Sequence, residues 1–162
     1  MDMVRVDKIL VHPSFLENLQ KNREAETDRR FCRHDMTHFL DVARIGTLIN
    51  LEEGQEIPKD LIYGAALLHD LGRHEQYREG IPHEQAGAAK APSILSDCGY
   101  DREEAEAVTA AILRHRDPDA AAVPGLTGIL YRADKASRPC FCCPAQKDCS
   151  WKEGKKNLHI LY

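Results

Sequence analysis

Apolar residues recur at spacings of three and four along most of this 162-residue chain, and this periodicity limits the folds that it can adopt. Such spacing places apolar side chains on one face of an α-helix, whereas a half-buried strand alternates apolar and polar residues over about 4 to 8 positions. No segment of the sequence shows that alternation. The pattern therefore predicts an all-α fold, and the length predicts one domain over residues 1–162.

The periodic segments predict a series of helices. They cover about residues 4–10, a segment that starts at 13, 35–51, 58–71, 82–95, a segment from 102 to 115, and 126–137. Gly54 is expected to end the third helix, and Pro92 to interrupt or bend the fifth. The helix at 58–71 is apolar on too many sides for a surface position, so we expect it in the centre. The segment 22–30 is charged and is expected to be solvated.

Composition and charge exclude several functions. The chain has 22 Lys and Arg against 26 Asp and Glu, and its formal net charge of −4 argues against a large nucleic-acid surface. It contains no apolar run near the ~20 residues of a membrane-spanning helix, so we expect no membrane partner. Its first residues lack the apolar core of a secretory signal, so the cytoplasm is the expected compartment.

A His-Asp pair ends the most hydrophobic predicted helix. His69 and Asp70 follow the segment Ala65-Ala66-Leu67-Leu68, and a buried imidazole or carboxylate is costly without a partner or a cation. Asp134 lies in a similarly apolar helix. Imidazole and carboxylate groups are ligands for divalent metals such as Zn, Mn and Fe.

Other histidines accompany this pair at the ends of predicted helices. A single histidine at such a position is more often a solvated residue than a ligand, but together these residues point to a metal centre. The candidates are His34, His38, His83 and His115. Three further histidines, His12, His74 and His159, lack such a setting, so we expect them at the surface.

The order of these residues resembles the HD superfamily of metal-dependent phosphohydrolases. The resemblance covers about residues 31–138 and rests on three segments: His38 followed by Val42-Ala43, the doublet within Leu67-Leu68-His69-Asp70-Leu71-Gly72-Arg73, and Asp134 within Tyr131-Arg132-Ala133-Asp134-Lys135. It implies a compact helical bundle of the HD type with an irregular, cysteine-rich tail over residues 139–162.

The resemblance also implies a set of metal ligands. The first ion would be held by His38, His69, Asp70 and Asp134. His83 and His115 resemble the additional histidines of members with a second ion, and Asp70 would then bridge the two ions. His34 lies four residues before His38 and is either a further ligand or a residue on the substrate side. One or two ions of Mn, Fe, Zn, Ni, Co or Mg are expected.

The implied activity is hydrolysis of a small phosphoester, such as a nucleotide or dinucleotide, by a metal-bound hydroxide. Asp70, Arg73 and Lys135 would form the catalytic group, because charge on the phosphoryl oxygens requires cations. Weaker candidates for this role are Arg33, Lys90, Arg116 and Arg138. Two alternatives stay open: a di-iron oxygenase of the same superfamily, and a non-catalytic metal or redox sensor. The oligomeric state is not predicted.

Four cysteines crowd into the tail. Cys140, Cys142, Cys143 and Cys149 could hold a Zn ion or an iron–sulfur cluster, although their spacing matches no common motif. Only Cys32 or Cys98 could join them from elsewhere. A redox pair, or free thiols in a tail anchored by Trp151, are the alternatives. Because the tail follows Asp134 directly, we expect it to form one wall of the active cleft.

Overall fold

The computed structural model describes residues 3–162, and all regular structure in this range is helical. The α-helices are α1 Val4–Leu10, α2 Pro13–Ala25, α3 Met36–Glu53, α4 Lys59–Leu68, α5 Arg73–Glu79, α6 His83–Asp97, α7 Arg102–Arg114 and α8 Leu126–Ala136. Short 3-10 turns connect α7 to α8 and recur in the segment after α8. The predicted all-α fold is confirmed.

Helix α4 occupies the centre of the bundle, as its sequence predicts. Residues 65–68 are fully buried, and the helix packs against α1, α3, α6, α7 and α8. Each fully buried leucine contributes about 1.5–3 kcal/mol to folding. The body of the protein is therefore built around the helix that leads into His69 and Asp70. No helix in residues 3–162 has the length and apolar character needed to span a bilayer.

Local signals in the sequence set the ends of several helices. The side chain of Asp35 accepts a hydrogen bond from the backbone N–H of His38 at 3.1 Å and so starts α3. Gly54 ends this helix in the left-handed conformation, with φ of 60°. Asp101 and Glu104 form a capping box at the start of α7. The start of α3 matters for the site because His38 lies in its first turn.

The predicted boundaries near the His-Asp pair are wrong. Helix α4 ends at Leu68, residues 69–72 form a turn, and a separate helix, α5, follows. Periodicity misses α5 because its sequence is polar and only His74 within it is buried. Pro92 does not interrupt α6, since a proline removes one backbone hydrogen bond while packing against α5 and α7 holds the helix together.

Segment 22–30 is largely solvated, as predicted, but the prediction is wrong for Asn22 and Glu26, and the surface position predicted for His74 is also wrong. Asn22, Glu26 and His74 are all buried. Asn22 Nδ2 donates to the backbone O of Asp70 at 3.0 Å, and its Oδ1 accepts from the backbone N of His74 at 2.9 Å. His74 Nε2 lies 2.8 Å from Asn18 Oδ1. Polar residues can be buried here because each of them has a partner.

The other two histidines predicted at the surface, His12 and His159, differ in their exposure. His159 is exposed, as predicted. His12 is half-buried, because its Nδ1 accepts a hydrogen bond from the backbone N–H of Ser14 at 3.2 Å and its Nε2 lies 3.1 Å from Asp97 Oδ2. His12 therefore caps the start of α2, a role that its sequence context does not predict.

The turn at residues 69–72 packs directly on α6. A Cβ atom at Gly72 would lie 2.5 Å from Ala86 Cβ and 2.7 Å from the backbone N of Gly87. Gly87 in turn faces the backbone O of His69, where a Cβ would lie at 3.1 Å. Glycine at these positions allows the turn and the helix to approach each other closely.

We expect Gly72→Ala to lower the free energy of unfolding of the metal-free protein by about 1–3 kcal/mol, because the added methyl group collides with backbone atoms of α6. Urea denaturation measures this change. Gly154→Ala is the control, since a Cβ there meets no atom of the described residues within 4 Å. Equal stability of the two variants would show that α6 lies farther from the turn.

Candidate metal centre

Six side chains from five helix ends converge at one buried point. Each lies at or near the end of a helix, and all of them are buried. They are His38 of α3, His69 and Asp70 after α4, His83 at the start of α6, His115 after α7, and Asp134 of α8. The structure thus brings together all of the residues predicted as metal ligands apart from His34, which lies beside them.

One half of the cluster surrounds a single oxygen of Asp70. Asp70 Oδ2 lies 3.3 Å from His38 Nε2 and 3.1 Å from His69 Nε2. Asp134 Oδ1 lies 3.3 Å and 3.5 Å from the same two nitrogens. Ligand atoms of these four residues all fall within 4.8 Å of one another, close enough to hold one metal ion.

The other half surrounds the second oxygen of Asp70. Asp70 Oδ1 lies 3.2 Å from His83 Nε2 and 3.4 Å from His115 Nε2, and the two nitrogens are 3.1 Å apart. These three residues form a second group of ligand atoms within 4.8 Å. Asp70 therefore belongs to both groups through different oxygens.

Outer hydrogen bonds to backbone carbonyls fix which ring nitrogen of His69 and of His115 faces the centre. His69 Nδ1 lies 2.7 Å from the backbone O of Ala66, and His115 Nδ1 lies 2.6 Å from that of Ile112. Because a carbonyl only accepts, each Nδ1 carries the proton, and in the neutral ring Nε2 presents a lone pair. Such partners hold metal-binding histidines in their ligand orientation.

His38 is held in the same way through a hydroxyl group. The Ser137 hydroxyl donates to the backbone O of Asp134 at 2.7 Å, so its oxygen accepts from His38 Nδ1 at 3.2 Å. His38 Nε2 is then the acceptor that faces the cluster. Ser137 is a supporting residue that sequence reasoning missed, although it lies only three positions after Asp134.

The arrangement fits divalent cations. His83 Nε2, His115 Nε2 and Asp70 Oδ1 lie 3.1 to 3.4 Å from one another, so one cation could contact all three atoms. His69 Nε2 and Asp70 Oδ1 are buried and make no hydrogen bond within residues 3–162. Buried polar atoms are rarely left without a partner. Imidazole nitrogens with carboxylate oxygens form the ligand set of Zn, Mn and Fe.

Without a cation, the two carboxylates hold a proton on His69. Burial alone would lower the pKa of His69, but Asp70 and Asp134 raise it to about 10. Burial likewise opposes ionisation of Asp70, yet the charge on His69 keeps the pKa of this carboxyl well below its usual range. The cluster therefore requires positive charge at its centre.

His34 lies at the edge of the cluster and depends on Glu26. His34 Nε2 is 3.9 Å from Asp70 Oδ2, and the residue is absent from both groups of ligand atoms. Its Nδ1 lies 2.6 Å from Glu26 Oε1, and its backbone N–H donates to Glu26 Oε2 at 3.0 Å. Burial lowers the pKa of His34 to about 4. Glu26 is a candidate functional residue that sequence reasoning missed, because it lies in a segment expected to be solvated.

Several of the predicted cations lie against the cluster. Arg73 Nη1 is 2.8 Å from His83 Nδ1, and Lys135 Nζ is 2.6 Å from Asp134 Oδ2. Arg138, a weaker candidate from the sequence, also contacts the cluster, since its Nη2 lies 3.1 Å from His38 Nε2. Lys90 is not part of this group, because it forms an ion pair with Glu75.

The cluster opens into a cleft of about 1130 Å³. Its wall includes the predicted tail, as expected, through residues that include Cys140, Cys143 and Cys149. Eight cationic side chains also line it. They are Arg29, Arg30, Arg33, Arg73, Arg116, Lys135, Arg138 and Lys156.

An all-helical bundle with this paired His and Asp cluster is typical of HD superfamily hydrolases. The sequence profile of the HD domain matches residues 35–138, which is more than half of the chain. The chain therefore belongs to the HD domain family.

Two relatives extend the match beyond this segment. An uncharacterized protein of Clostridium beijerinckii (strain ATCC 51743 / NCIMB 8052) is 42% identical over 160 residues, which cover 99% of this chain and 100% of the relative. The crystal structure of a predicted HD superfamily hydrolase from an uncultured Thermotogales bacterium superposes with a TM-score of 0.62. It is 28% identical, and the match covers 88% of this chain and 81% of that one.

We expect Asn22→Ala to destabilise the protein by about 1–3 kcal/mol for each of the two buried backbone groups that lose their partner, Asp70 O and His74 N. Chemical denaturation of the metal-free chain measures the loss. Gln20→Ala on the exposed side of α2 is the matched control and should stay within about 0.5 kcal/mol of the parent. If Asn22→Ala left the free energy of unfolding unchanged, α2 would not hold the turn at residues 69–72.

We expect metal binding to displace a proton from His69. In the metal-free chain its pKa of about 10 lies above its ordinary value, so it keeps the proton through neutral pH and loses it only as pH rises through about 10. The apparent metal affinity should therefore increase about tenfold per pH unit between about pH 7 and 9.

Calorimetric titration in buffers of different ionisation enthalpy counts the released protons. His159→Gln, which alters an exposed histidine, should leave the number unchanged. Binding at neutral pH with no proton release would contradict the protonated state of His69.

Proposed function

We propose that this protein is a metal-dependent phosphohydrolase that acts on a small phosphorylated substrate, most simply a nucleotide or dinucleotide. The observation that carries the proposal is the union of two features: a buried His and Asp cluster fit for two divalent ions, and a cationic cleft that leads to it. Neither feature alone specifies a phosphohydrolase. Together they support a hydrolytic centre next to a binding site for an anion.

The charge of the cleft supports an anionic substrate. Its eight cations face five aspartates, although acidic residues outnumber basic ones in the whole chain. Two of these aspartates, Asp70 and Asp134, belong to the metal cluster, while Asp35 caps α3 and Asp148 pairs with Arg30. Two further cations pair with glutamates, Lys156 with Glu153 and Arg116 with Glu84. Four arginines of the cleft form no ion pair among residues 3–162: Arg29, Arg33, Arg73 and Arg138. They are left to neutralise a ligand, and phosphate groups are the common biological ligands of clustered arginines.

The metal ions would be held by the two groups of ligands that share Asp70. His38, His69, Asp70 and Asp134 would hold one ion, and Asp70, His83 and His115 the other. Divalent ions bound there supply a water molecule that ionises near neutral pH, together with positive charge for the phosphoryl oxygens.

The cations beside the cluster would bind the phosphoryl group. The guanidinium of Arg73 lies against His83 and over the ring of Tyr77, at 5.2 Å from its centroid. Lys135 Nζ lies 2.6 Å from Asp134 Oδ2 and donates to the backbone O of His115 at 3.2 Å. Two such donors beside the cluster can orient a phosphoryl group and stabilise charge as it develops on the oxygens.

His34 is placed to contact the substrate or the water. His34 Nδ1 donates a hydrogen bond to Glu26 Oε1, so Nε2 presents a lone pair toward Asp70. We assign this nitrogen the role of a hydrogen-bond acceptor for a water molecule or a substrate hydroxyl. Glu26 would act as a positioning residue, because it holds both the ring and the backbone N–H of His34.

The proposal predicts phosphate release from a panel of nucleotides and dinucleotides when metal-stripped protein is resupplied with Mn, Fe, Zn, Ni, Co or Mg. Asp70→Asn keeps the shape of the side chain but removes the bridging carboxylate, so activity should fall by at least about 100-fold. Phosphate detection across the panel measures both results. Folded, metal-loaded protein that is silent on every substrate would contradict the proposal.

An absence of phosphate release would have two explanations that further measurements distinguish. Tightly bound iron with a mixed-valence electron paramagnetic resonance signal, and no phosphate release, would support the oxygenase alternative. Unfolding upon metal removal, again with no phosphate release, would support a closed structural site in a sensor.

We expect Arg73→Ala to lower kcat/KM by about 100-fold, because it removes a cation next to the reacting phosphoryl group. Steady-state kinetics on the best substrate measure the effect. Arg102→Ala is the control, since Arg102 is exposed on α7 and pairs only with Glu106 of its own helix. Equal activity of the two variants would show that Arg73 does not contact the phosphoryl group.

A further inference from the structure

A second group of possible metal ligands lies outside the His and Asp cluster. All six cysteines are free thiols. Cys32 precedes α3, whereas Cys140, Cys143 and Cys149 follow α8, and these four residues line the same cleft. Two distant segments of the chain therefore bring four thiols to one wall.

Direct contacts join the two segments. Arg138 Nη1 donates to the backbone O of Arg33 at 2.9 Å, and Arg30 forms an ion pair with Asp148. These contacts place the residues on both sides of Cys32 against the start and the middle of the tail. Burial raises the pKa of the Cys32 thiol, and the nearby thiols of the tail raise it further, against the effect of Arg138. The thiol of Cys32 therefore lies close enough to the three tail thiols for their charges to affect its pKa.

The tail has local geometry that suits thiolate ligands. The backbone N–H of Cys143 donates to the backbone O of Cys140 at 3.2 Å, which closes a tight turn between two cysteines at C-x₂-C spacing. Short pairs of this kind are common in zinc sites. Cys149 Sγ accepts a hydrogen bond from the backbone N–H of Trp151 at 3.5 Å. Such a donor stabilises negative charge on sulfur.

Cations surround the thiols. The side chain of Lys156 is only 6% exposed, and its pKa is raised by its hydrogen bond to Glu153 and further by Cys149 and Cys140. Arg138 lies on the other side, beside Cys32. Neighbouring lysine and arginine residues favour the thiolate form, which is the form that binds metals.

The tail also buries little apolar surface. Residues 139–162 contain only 3-10 turns of three residues, and only Cys140 and Ala145 among them are buried. A segment that buries so little apolar surface is commonly fixed by a disulfide or a metal ion. A cross-link to Cys32 would fasten it to the body of the protein.

We propose that Cys32, Cys140, Cys143 and Cys149 bind a zinc ion that fastens the tail against the active cleft. Four thiolates complete a tetrahedral sphere and leave no open position, so the ion is structural rather than catalytic. Binding transfers the thiol protons to the buffer. This inference is independent of the proposed function, because none of these residues belongs to the His and Asp cluster.

The four sulfur atoms must come closer together when the ion binds, because no three of them lie within 4.8 Å of one another among the described residues. Zinc should therefore slow proteolysis within residues 139–162 as well as occupy the thiols.

Cobalt titration of the reduced, metal-stripped full-length chain tests the proposal. Thiolate coordination to Co²⁺ gives intense near-ultraviolet charge-transfer bands, which imidazole and carboxylate ligands do not give. We expect these bands in the parent chain and in Asp70→Asn, and we expect their loss in Cys32→Ser and Cys143→Ser. Cys142→Ser is the matched control and should keep the bands, because Cys142 is exposed and its thiol donates to the backbone O of Pro139.

Three results would overturn the proposal. They are the absence of charge-transfer bands in the parent chain, their loss in Cys142→Ser with retention in Cys32→Ser, and a visible iron–sulfur spectrum in the purified protein. The parent chain alone decides the first and third results, so a variant that fails to fold does not prevent a decision. Zinc analysis of Asp70→Asn should find one equivalent that Cys143→Ser in the same background lacks.

Discussion

The buried carboxylate of Asp70 is the interaction on which the centre of this protein depends. Its two oxygens face two pairs of imidazoles, His38 with His69 and His83 with His115, at 3.1 to 3.4 Å. A charge in this position is costly unless positive charge surrounds it, and in the metal-free chain His69 supplies that charge with a proton. Two divalent ions bound there would satisfy the same requirement and would also leave the histidines neutral.

The helices position the side chains that surround Asp70. Each ligand candidate lies at or near a helix end, so small shifts of whole helices would separate the two groups. The turn that carries Asp70 is held from two sides: α6 packs on Gly72 without room for a side chain, and Asn22 of α2 donates to the backbone O of Asp70. Helix packing and one buried amide thus fix the position of the bridging carboxylate.

The sequence predicts every helix except α5, the central position of α4 and the residues that meet at the centre, because apolar periodicity and the His-Asp order are local signals. It does not predict that Asn22, Glu26 and His74 are buried. Their neighbours in sequence are charged, and only tertiary partners such as Asp70 O and His34 Nδ1 make their burial favourable. Nor does it identify Cys32 as a neighbour of the tail thiols, since α3 to α8 separate them along the chain.

The bridging role of Asp70 is tested most directly by diffraction from crystals of the protein soaked in Mn²⁺, with data collected for anomalous scattering. We predict two peaks, one among His38, His69, Asp70 and Asp134 and one among Asp70, His83 and His115, with a different oxygen of Asp70 bound to each ion. A single peak, or two ions that both contact the same Asp70 oxygen, would contradict this arrangement.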